Sequence, residues 1–554
     1  MREHPRTSAS CLDRREENLE PDAWLLTPRE RGNPATRLDA GHEDGTAWSD
    51  GNLVRPLVHG AVYFAELVAC ISGMRDGDLL LFTDWRGDAD QLLDGAEPAT
   101  GTVSRLLCAA AQRGVQVRGL LWRSHLDQMR FSEKENRRLG ELIEAVGGRC
   151  LLDMRVRPGG SHHQKFVVLR HRGRPELDVA FVGGIDLCHG RRDDGGHAGD
   201  PQALPIAAAY GDRPPWHDAQ VAIRGPAVGD VEAVFRERWE DPAPLTRDPL
   251  HRLRALFDHE DTRARALPAQ LPAPHACGPH AVQLLRTYPN RWRGYAFAPQ
   301  GERSVARSYV KVLRRARDLI YLEDQYLWSR QVAEPFADAL AANPGLRMIV
   351  VVPRWPDEDG RLSVPPSLFG RNQVLEMLYQ AGADRVAVYG PENHAGTPVY
   401  VHAKVCVVDD IWASIGSDNF NLRSWSHDSE LSCAVLDQTP DRREPRTAGG
   451  PGDYPRAYAR DLRLQLAREH LDRPDGDDFD LCEPLSAFRA FARSAAALDE
   501  WHVKGRTGPR PPGRLRRYHV EHLPRWTRTW AGPIYRHVLD PDGRPAALRR
   551  SNSF

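Results

Sequence analysis

The chain has 554 residues with 75 basic and 76 acidic side chains, so its formal net charge is −1. That length suggests roughly two to four domain-sized units, and a core of that size needs neither disulfides nor metals for stability. A mean hydropathy of −0.54 and the lack of any apolar run of about 18 residues exclude an ordinary transmembrane helix, and the near-zero charge argues against general coating of nucleic acid.

The first 50 residues are polar and charged without a regular period, which predicts an irregular arm and no Sec-type signal peptide. The nine cysteines are scattered, odd in number and form no CxxC pair, which is typical of reduced thiols in a cytosolic protein. Only five of the 75 basic residues are lysines, and the abundance of Arg, Ala, Gly and Pro is typical of a GC-rich bacterial genome.

An alternating α/β pattern begins at about residue 53. It predicts helices at 53–72, 102–113 and 132–146, the last with Ser132 as its N-cap, and strands at 79–82 and 115–122. A long loop rich in Gly, Pro and Asp follows at 190–215, and a connection rich in Pro, Arg and His spans 243–280.

The same pattern returns from about residue 301. It predicts helices at 304–316, 330–342 and 370–380 and strands at 318–322 and 347–352. A third loop at 438–454 precedes helices at 456–471 and 485–498. The final stretch, 504–554, is rich in Arg and Pro and carries several aromatic residues.

A degenerate internal repeat divides the chain into two halves. One copy reads SHHQKFVVLR and then VAFVGGIDL, and the other reads YVHAKVCVVDD and then WASIGSDNFNL. We therefore predict two similar α/β halves, each a mixed sheet flanked by helices, related by pseudo-twofold symmetry and with the active site at their interface. The predicted units are an arm at 1–50, a first half at 51–260 with its motif at 157–189, a linker at 261–300, a second half at 301–500 with its motif at 396–423, and a tail at 501–554.

Two of the five lysines, Lys165 and Lys404, stand two residues after a histidine. Side chains at positions i and i+2 of a strand point to the same face, so each His-x-Lys places an imidazole beside an ammonium group. Imidazole can act as a nucleophile or carry a proton, and a fixed positive charge suits a phosphoryl oxygen. The repeated pair therefore predicts a site for one phosphoryl anion between two histidines and two lysines.

These motifs resemble the phospholipase D superfamily, and the flanking segments resemble its eukaryotic-type branch. The matching segments are HAKVCVVD at 402–409, GSDN at 416–419, HQK at 163–165, FVGGIDLC at 181–188, PWHD at 215–218 and YLEDQY at 321–326. The resemblance covers roughly residues 50–440.

The resemblance implies a covalent mechanism with no metal or other cofactor. By analogy, His163 is the nucleophile that forms a phosphohistidine, and His402 protonates the leaving alcohol and then activates water or an acceptor alcohol. Lys165 and Lys404 would hold the phosphoryl oxygens. Asp409 completes the second motif and is counted among the catalytic candidates.

Each imidazole also needs a carboxylate on its other nitrogen. The resemblance assigns this task to Asp218 and Glu430, while the sequence leaves open which acid pairs with which histidine. Four further positions are expected to line the phosphate site: Gly184, Asp186, Ser417 and Asn419.

One position departs from the family pattern. Arg170 stands in the first copy where Asp409 stands in the second, which is read either as a lost hydrogen bond at a turn or as an impaired first half, and Asp178 is a possible substitute. His162, His217 and His427 are read as lining or packing residues. Metal ligation is the alternative, although no spacing such as HExxH supports it.

The predicted function is hydrolysis of glycerophospholipids of the phosphatidylcholine type to phosphatidic acid and a free headgroup, or transfer to an alcohol. A nuclease or other phosphodiesterase of the superfamily is one alternative, and a non-catalytic lipid-binding relative is another. A transferase resembling cardiolipin synthase is disfavoured, because the expected N-terminal membrane helices are not evident.

The expected partner is a phospholipid membrane surface, with no nucleic acid and no obligate protein partner. Candidate contacts are Trp85, Trp328, Trp425, Trp526 and Trp530, together with the basic tail residues Arg510, Arg514, Arg516 and Arg517. The alternatives are core packing for the tryptophans and a solvated tail for the arginines. The expected location is the cytoplasm or the membrane periphery, with export by a non-Sec route as the other possibility.

Overall fold

A computed structural model describes residues 19–42, 44–94, 101–124, 133–257, 262–445 and 454–554. The predicted N-cap Ser132, the first 18 residues of the predicted arm and part of the predicted loop at 438–454 lie outside these ranges. Two short helices, α1 (Pro21–Trp24) and α2 (Pro28–Arg31), precede the first sheet. The arm thus contains regular structure, and the side chains of Trp24 and Arg31 are buried.

Within its described residues, the first half contains eight strands and five helices. They are β1 (Ser49–Val58), α3 (Gly60–Ser72), β2 (Leu79–Asp84), α4 (Val103–Gln112), β3 (Gln116–Trp122), α5 (Glu133–Glu144), β4 (Arg149–Asp153), β5 (Phe166–Arg170), β6 (Val179–Gly183), β7 (Trp216–His217), β8 (Ala219–Arg224), α6 (Ala227–Trp239) and α7 (Pro249–Phe257). The loop at 190–215 is irregular apart from one short 3₁₀ turn.

The second half follows a similar but not identical order and adds C-terminal elements. They are β9 (His280–Tyr288), β10 (Glu302–Arg303), α8 (Ser304–Leu313), β11 (Leu319–Glu323), α9 (Arg330–Ala342), β12 (Arg347–Val351), α10 (Val364–Gly382), β13 (Val386–Pro391), β14 (Tyr400–Val401), β15 (Val405–Val408), β16 (Trp412–Gly416), α11 (Leu422–Ser426), β17 (Glu430–Asp437), α12 (Ala457–Leu471), α13 (Pro484–Val503), β18 (Leu515–Arg517), α14 (Arg525–Ile534) and α15 (Ala546–Arg550).

One 16-stranded mixed sheet runs through both halves. Its order is β18-β13-β12-β11-β15-β16-β17-β9-β1-β8-β6-β5-β2-β3-β4, with β10 on β9. Outward from the β1–β9 junction, the spatial order of the strands is the same in both halves: β8, β6, β5, β2, β3 and β4 on one side correspond to β17, β16, β15, β11, β12 and β13 on the other. In each half three strands pair in parallel, namely β2, β3 and β4 in the first half and β11, β12 and β13 in the second. The strands that carry the repeat motifs form antiparallel hairpins, β5 with β6 and β15 with β16. The fold is therefore the mixed α/β architecture that the sequence predicts, while the domain boundaries stay predictions.

Alternate residues of the strands face two different cores. Leu79 and Leu81 join a shared core that also takes in residues of β9, β15 and the helices α6, α12 and α13, whereas Leu80 and Phe82 face a core under α3, α4 and α5. The equivalent outer core of the second half lies under α8, α9 and α10. This period of two is what a strand covered on both faces requires.

The predicted helix at 53–72 is wrong in its first third. Residues Leu53–Val58 belong to β1 and pair with β8, and the helix begins only at Gly60. Pro56 explains the difference, because proline inside a helix lacks the donor N–H and clashes with the preceding turn. The other predicted helices and strands form within a few residues of their predicted bounds, except that α10 and α13 extend further.

The tail is ordered on the body of the protein. Strand β18 pairs with β13, and α14 packs on α10. The eight described cysteines are free thiols. Among the described residues, no helix is both long enough and apolar enough to cross a membrane.

Candidate active site

Two short backbone pairings bring the repeat motifs of the two halves together. Strand β7 pairs in parallel with β14, aligning Trp216 with Tyr400 and His217 with Val401. A second parallel bridge joins His162 to Ser429, so that the backbone N–H of His163 donates to Ser429 at 2.9 Å. Each motif histidine therefore emerges beside the acid-bearing segment of the opposite half.

The first histidine is held by the second half. Nδ1 of His163 lies 2.9 Å from Oε2 of Glu430 and 3.1 Å from Oε1. The hydroxyl of Ser417 donates to Oε2 of the same carboxyl at 2.6 Å. Glu430 is fully buried, whereas the His163 side chain keeps 15% of its surface exposed. This arrangement leaves Nε2 of His163 as the nitrogen available for chemistry.

The second histidine is held by the first half. Nδ1 of His402 lies 2.7 Å from Oδ2 of Asp218, and the His402 backbone N–H donates to the carbonyl of His217 at 2.7 Å. Gly184 occupies the position that Ser417 has in the other copy. A Cβ at Gly184 would lie 2.3 Å from Oδ1 of Asp218, so only glycine leaves room for this acid. The two pairs are thus crossed between the halves, which answers the question that the sequence left open.

The two lysines lie beneath the histidines. Nζ of Lys165 donates to the carbonyl of His163 at 2.9 Å and lies 3.6 Å from Oδ1 of Asp186. Nζ of Lys404 donates to the carbonyl of His402 and lies 3.4 Å from Oε1 of Gln325. Both side chains are buried. The structure therefore brings His163, Lys165, His402 and Lys404 into one recessed site.

Burial and mutual repulsion set the protonation of these cations. Burial lowers the pKa of Lys404 to about 8, and the charge of Lys165 acts in the same direction against the neighbouring carboxylates. Burial and the lysines also hold the pKa of His163 and of His402 well below the usual histidine range. Both imidazoles are therefore neutral in the free protein at neutral pH, and an anion between the lysines would relieve their repulsion.

The two carboxyl groups differ in their ionisation. Burial and the nearby charge of Asp428 raise the pKa of Glu430 to about 8. Burial acts the same way on Asp218, but the hydrogen bond from His402 and the charge of Lys404 outweigh it and lower the pKa of Asp218. Asp218 is therefore a stable anion beside His402, while Glu430 is an unusually basic carboxyl beside His163.

The other predicted site residues fall into two groups. Asp186 accepts the backbone N–H groups of Trp85 and Arg86 at 3.2 and 3.3 Å and so lies beside Lys165, and Asn419 is buried in the turn after β16. Asp409, in contrast, follows β15 at the end remote from Lys404.

The assignment of Asp409 to the catalytic set is therefore corrected. Its carboxyl accepts three backbone N–H groups, from Arg317 at 2.8 Å and from Asp318 and Leu319 at 2.9 Å each. These bonds tie the hairpin turn to the start of β11. Burial raises the pKa of Asp409 to about 7. Its function in the fold is to satisfy backbone donors.

Arg170 stabilises the corresponding turn in the first half through different contacts. Its guanidinium donates to Asp178 at 2.8 Å, to Glu232 and to the carbonyl of Pro272 at 2.6 Å. Asp178 also accepts the backbone N–H of His171 at 2.6 Å. Asp178 thus supplies the missing carboxylate, and the departure at Arg170 does not reach the histidines.

Aromatic side chains form walls beside both histidines. The ring of Trp85 lies 6.4 Å from that of His163, and the ring of Trp216 lies 5.1 Å from that of His402. The guanidinium of Arg191, from the loop at 190–215, sits 4.0 Å over Trp216. A pocket lined partly by Gln325 and Tyr400 adjoins the site through Lys404.

The residues predicted to contact a membrane differ in their exposure and in their partners. Trp328 and Trp425 are buried in the core, while Trp526 on α14 is 71% exposed. The tail arginines Arg510, Arg514 and Arg516 form ion pairs with carboxylates of this chain, chiefly Asp472, Glu392 and Asp499. These three guanidinium groups are therefore engaged within the fold.

Sequence reasoning missed the residues that surround Asp218 from behind. His217 contacts Glu323 and Glu469, and His59 and His197 contact the same Glu469. The interpretation of His217 as a packing residue overlooked this cluster, because the residues of the cluster come from positions far apart in the chain. Only the WHD and YLEDQY segments signalled that His217 and Glu323 belong near the site.

The family comparisons agree with this geometry. Residues 79–343 match the family model described as phospholipase D, and residues 309–441 match one described as cardiolipin synthase, PLD-like domain. Together the two matched ranges contain both His-x-Lys motifs.

Three plant proteins illustrate the similarity. Phospholipase D alpha 2 of Oryza sativa subsp. japonica is 24% identical over 565 residues, which cover 80% of this chain and 67% of the rice protein. Phospholipase D alpha 1 of Arabidopsis thaliana is 27% identical, with 64% of this chain and 58% of that protein covered. Phospholipase D beta 1 of A. thaliana is 25% identical, with 82% and 51% covered. The chain spans about half to two thirds of the length of these relatives.

Solved structures with detectable likeness are more distant. A phosphatidylserine synthase from Haemophilus influenzae Rd KW20 aligns with a TM-score of 0.45 at 13% identity, covering 70% of this chain and 82% of that one. Nuc, a phospholipase D family member from Salmonella typhimurium, aligns with a TM-score of 0.20 at 15% identity, covering 28% and 84%.

Proposed function

Because this chain belongs to the phospholipase D superfamily of phosphodiesterases, we propose that it hydrolyses glycerophospholipids of the phosphatidylcholine type to phosphatidic acid and the free headgroup alcohol. The observation that carries the proposal is the crossed pair of histidine–carboxylate contacts with two buried lysines between the halves. Such a site suits a singly charged phosphodiester, since the ammonium groups neutralise its oxygens.

In the first step, Nε2 of His163 attacks phosphorus and the bond to the headgroup oxygen breaks. His402 gives its Nε2 proton to that oxygen, so the headgroup leaves as a neutral alcohol. His402 takes up one proton from solvent when the anionic substrate binds, and Asp218 on Nδ1 stabilises the resulting imidazolium. The ionised form of Glu430 accepts the Nδ1 proton of His163 and so leaves the lone pair on Nε2 for the attack.

In the second step, water or an alcohol attacks the phosphohistidine. His402, now neutral, takes the proton of the attacking hydroxyl, and the P–N bond breaks to release phosphatidic acid or its ester. His402 thus returns to its protonated state and His163 to its neutral one, so the cycle closes without a cofactor in this scheme.

The test is headgroup release from vesicles of single phospholipid classes, with and without a primary alcohol. We expect choline and phosphatidic acid from phosphatidylcholine, and the alkyl ester when alcohol is present. His163→Ala and His402→Ala should each lower the rate by at least about 10³-fold. No turnover on any common headgroup, together with cleavage of DNA, would favour the nuclease alternative instead.

The two histidines are distinguished with a substrate whose leaving group needs no proton, such as a p-nitrophenyl phosphodiester. His402→Ala should still release a burst of p-nitrophenol and accumulate a covalent phosphoprotein, whereas His163→Ala should do neither. The reverse outcome would exchange the two assignments. No turnover and no covalent intermediate in the wild-type protein would support the non-catalytic alternative.

The lysines are tested by Lys165→Arg and Lys404→Arg, with Lys504→Arg as the matched control. Lys504 is exposed and pairs with Glu500, far along the chain from both motifs. Arginine keeps the charge but is planar and bulky, so it cannot replace a buried ammonium beside the reacting phosphorus. We expect both site variants to lose most of their activity and the control to match the wild type.

We further propose that the substrate is taken from a bilayer by peripheral contact. The exposed apolar side chains Leu256 and Phe257 on α7 and Trp526 on α14 are available for such contact. Cosedimentation with phosphatidylcholine vesicles measures it, and Trp526→Ser should weaken binding without changing hydrolysis of a soluble substrate.

A further inference from the structure

Three imidazoles converge on one carboxylate behind the candidate active site. Nε2 of His59 lies 2.7 Å from Oε2 of Glu469, Nε2 of His197 lies 3.0 Å from Oε1, and Nδ1 of His217 lies 3.2 Å from Oε1. The four donor atoms all lie within 4.8 Å of one another. Hence three nitrogens and one oxygen face a common point.

The cluster is enclosed and built from distant segments. The three histidines are at most 4% exposed, and their ring centroids are 4.9 to 5.7 Å apart. His59 joins β1 to α3, His197 lies in the loop at 190–215, His217 ends β7 and Glu469 is on α12. His59 and His197 adopt positive φ angles of 72° and 53°, a conformation that is uncommon outside glycine.

A carboxylate holds the outward nitrogen of His217, and another lies near the outward nitrogen of His197 without a hydrogen bond to it. Nε2 of His217 lies 2.7 Å from Oε2 of Glu323, and Nδ1 of His197 lies 3.6 Å from Oδ2 of Asp193. Glu323 is itself fixed by the hydroxyl of Tyr321 at 2.5 Å and by Nε2 of His470 at 2.8 Å. A carboxylate on the far nitrogen is the usual support of a metal-binding imidazole, because it fixes the tautomer and raises the basicity of the ligating nitrogen.

We propose that His59, His197, His217 and Glu469 form a binding site for one Zn²⁺ ion. Three imidazole nitrogens and one carboxylate oxygen are a ligand set that suits zinc in four-coordinate geometry. Bonds of about 2.1 Å place tetrahedral donors about 3.4 Å apart, so the observed spacing requires only small side-chain movements. The four positions span most of the chain, and no local sequence motif reveals them.

A metal-free arrangement is the competing reading of the same contacts. His217 lies within hydrogen-bond distance of a carboxylate through each of its nitrogens, so without a metal it would have to be a doubly protonated imidazolium to donate both hydrogen bonds. The zinc form needs only neutral rings, with the metal in place of the inward protons. The two arrangements differ in metal content and in their response to pH, and the experiment below separates them.

The site joins the halves directly behind the second histidine. The backbone N–H of His59 donates to the carbonyl of Asp218 at 2.9 Å, and the carbonyl of His217 accepts from His402 at 2.7 Å. Glu469 comes from the second half and the three histidines from the first. Zinc would therefore act as a structural clamp that positions Asp218 and His402, and it takes no part in the proposed chemistry.

The experiment measures bound metal and thermal stability in the full chain. Protein is stripped with dipicolinate, incubated with excess ZnCl₂, freed of unbound metal by gel filtration and analysed for zinc. We expect about one Zn²⁺ per chain and a rise in Tm of several degrees over the stripped protein. Both readings are made without substrate, so their outcome is independent of the proposed lipid hydrolysis.

His197→Gln and Glu469→Gln test the assignment of the ligands, with His394→Gln as the matched control. His394 is exposed and pairs with Asp472 outside the cluster. The control should keep its zinc and its Tm shift, whereas both ligand variants should lose them. If one ligand variant does not fold, the other and the wild-type titration still decide the matter.

Two results would overturn the proposal. One is a wild-type protein that retains no zinc and shows no Tm shift, which with a fall in Tm toward higher pH would indicate the imidazolium arrangement. The other is retention of zinc by both ligand variants at the wild-type level, which would locate the metal elsewhere.

Discussion

At the scale of single residues, the two motif histidines have carboxyl partners whose pKa values are shifted in opposite directions. Asp218 stays anionic beside His402, whereas Glu430 has its pKa raised to about 8 beside His163. Pairs of titratable groups whose environments separate their pKa values are the usual basis for dividing acid and base tasks. The difference supports separate tasks for His163 and His402 in the proposed mechanism.

This division predicts different responses to the leaving group. Asp218→Asn should lower kcat on a natural phospholipid by about 10²–10⁴-fold but spare release of p-nitrophenol, because only the former needs a proton from His402. Glu430→Gln should slow both substrates alike, since it weakens the attacking nitrogen. Equal losses for Asp218→Asn on the two substrates would contradict the assignment.

The depressed pKa of Lys404 predicts the alkaline limb of activity. Burial lowers that pKa to about 8, so the ammonium is charged below this pH and loses its proton above it. We expect kcat/KM for a soluble phosphodiester to rise as Glu430 ionises and to fall as Lys404 loses its proton, which gives a bell-shaped profile with its maximum near pH 8, measured between about pH 6 and pH 10. A flat profile to about pH 10 would show that Lys404 keeps its ordinary pKa.

The residues of the site were largely predictable because their spacing is local. His163, Lys165, His402 and Lys404 each lie in a short motif whose period of two fixes a common face. The crossing of Asp218 and Glu430 was not predictable, since it depends on pairings between β7 and β14 and between residues 162 and 429. The histidines around Glu469 were not predictable either, because they come from segments that only the folded chain brings together.

At the scale of elements, the two turns that follow the repeat strands show how one task is met by different residues. Asp409 binds three backbone N–H groups directly, while Arg170 is buried between Asp178 and Glu232. Period and spacing predicted most helices and strands, and they failed at 53–58, where Pro56 excludes the helix that the apolar pattern suggested.

Arg170→Asp, which writes the motif residue into the first copy, is expected to destabilise the protein. It would add a third buried carboxyl beside Asp178 and Glu232 and remove the guanidinium that pairs with both, which leaves Arg236 on Glu232. Loss of one partner of a buried ion pair costs about 3–5 kcal/mol. Urea unfolding measures the change. Arg172→Asp is the control, since Arg172 is exposed two residues later and should shift the midpoint little. Equal midpoints for the two variants would refute this account of the turn.

At the scale of the whole molecule, the sheet is continuous across the β1–β9 junction and a shared core joins its two halves. Elements from both halves contribute to that core, so neither half can lose its structure without exposing apolar surface of the other. The sequence predicted two halves but not that a single sheet would run through both.

This continuity predicts one cooperative unfolding transition. Calorimetry should show a single peak, and tryptophan fluorescence and far-ultraviolet circular dichroism should change at the same temperature. Asp409→Ala in the second half should lower that common temperature as a whole. Two resolved peaks, with only one moved by this substitution, would show that the halves unfold separately.

The crossing of the histidine–carboxylate pairs also bears on when the chain acquires its candidate active site. During synthesis His163 is made long before Glu430, and His402 reaches Asp218 only when the second half packs on the first. An emerging or half-folded chain therefore carries no complete pair. Under the proposed mechanism, activity arises only after both halves have been synthesised and assembled.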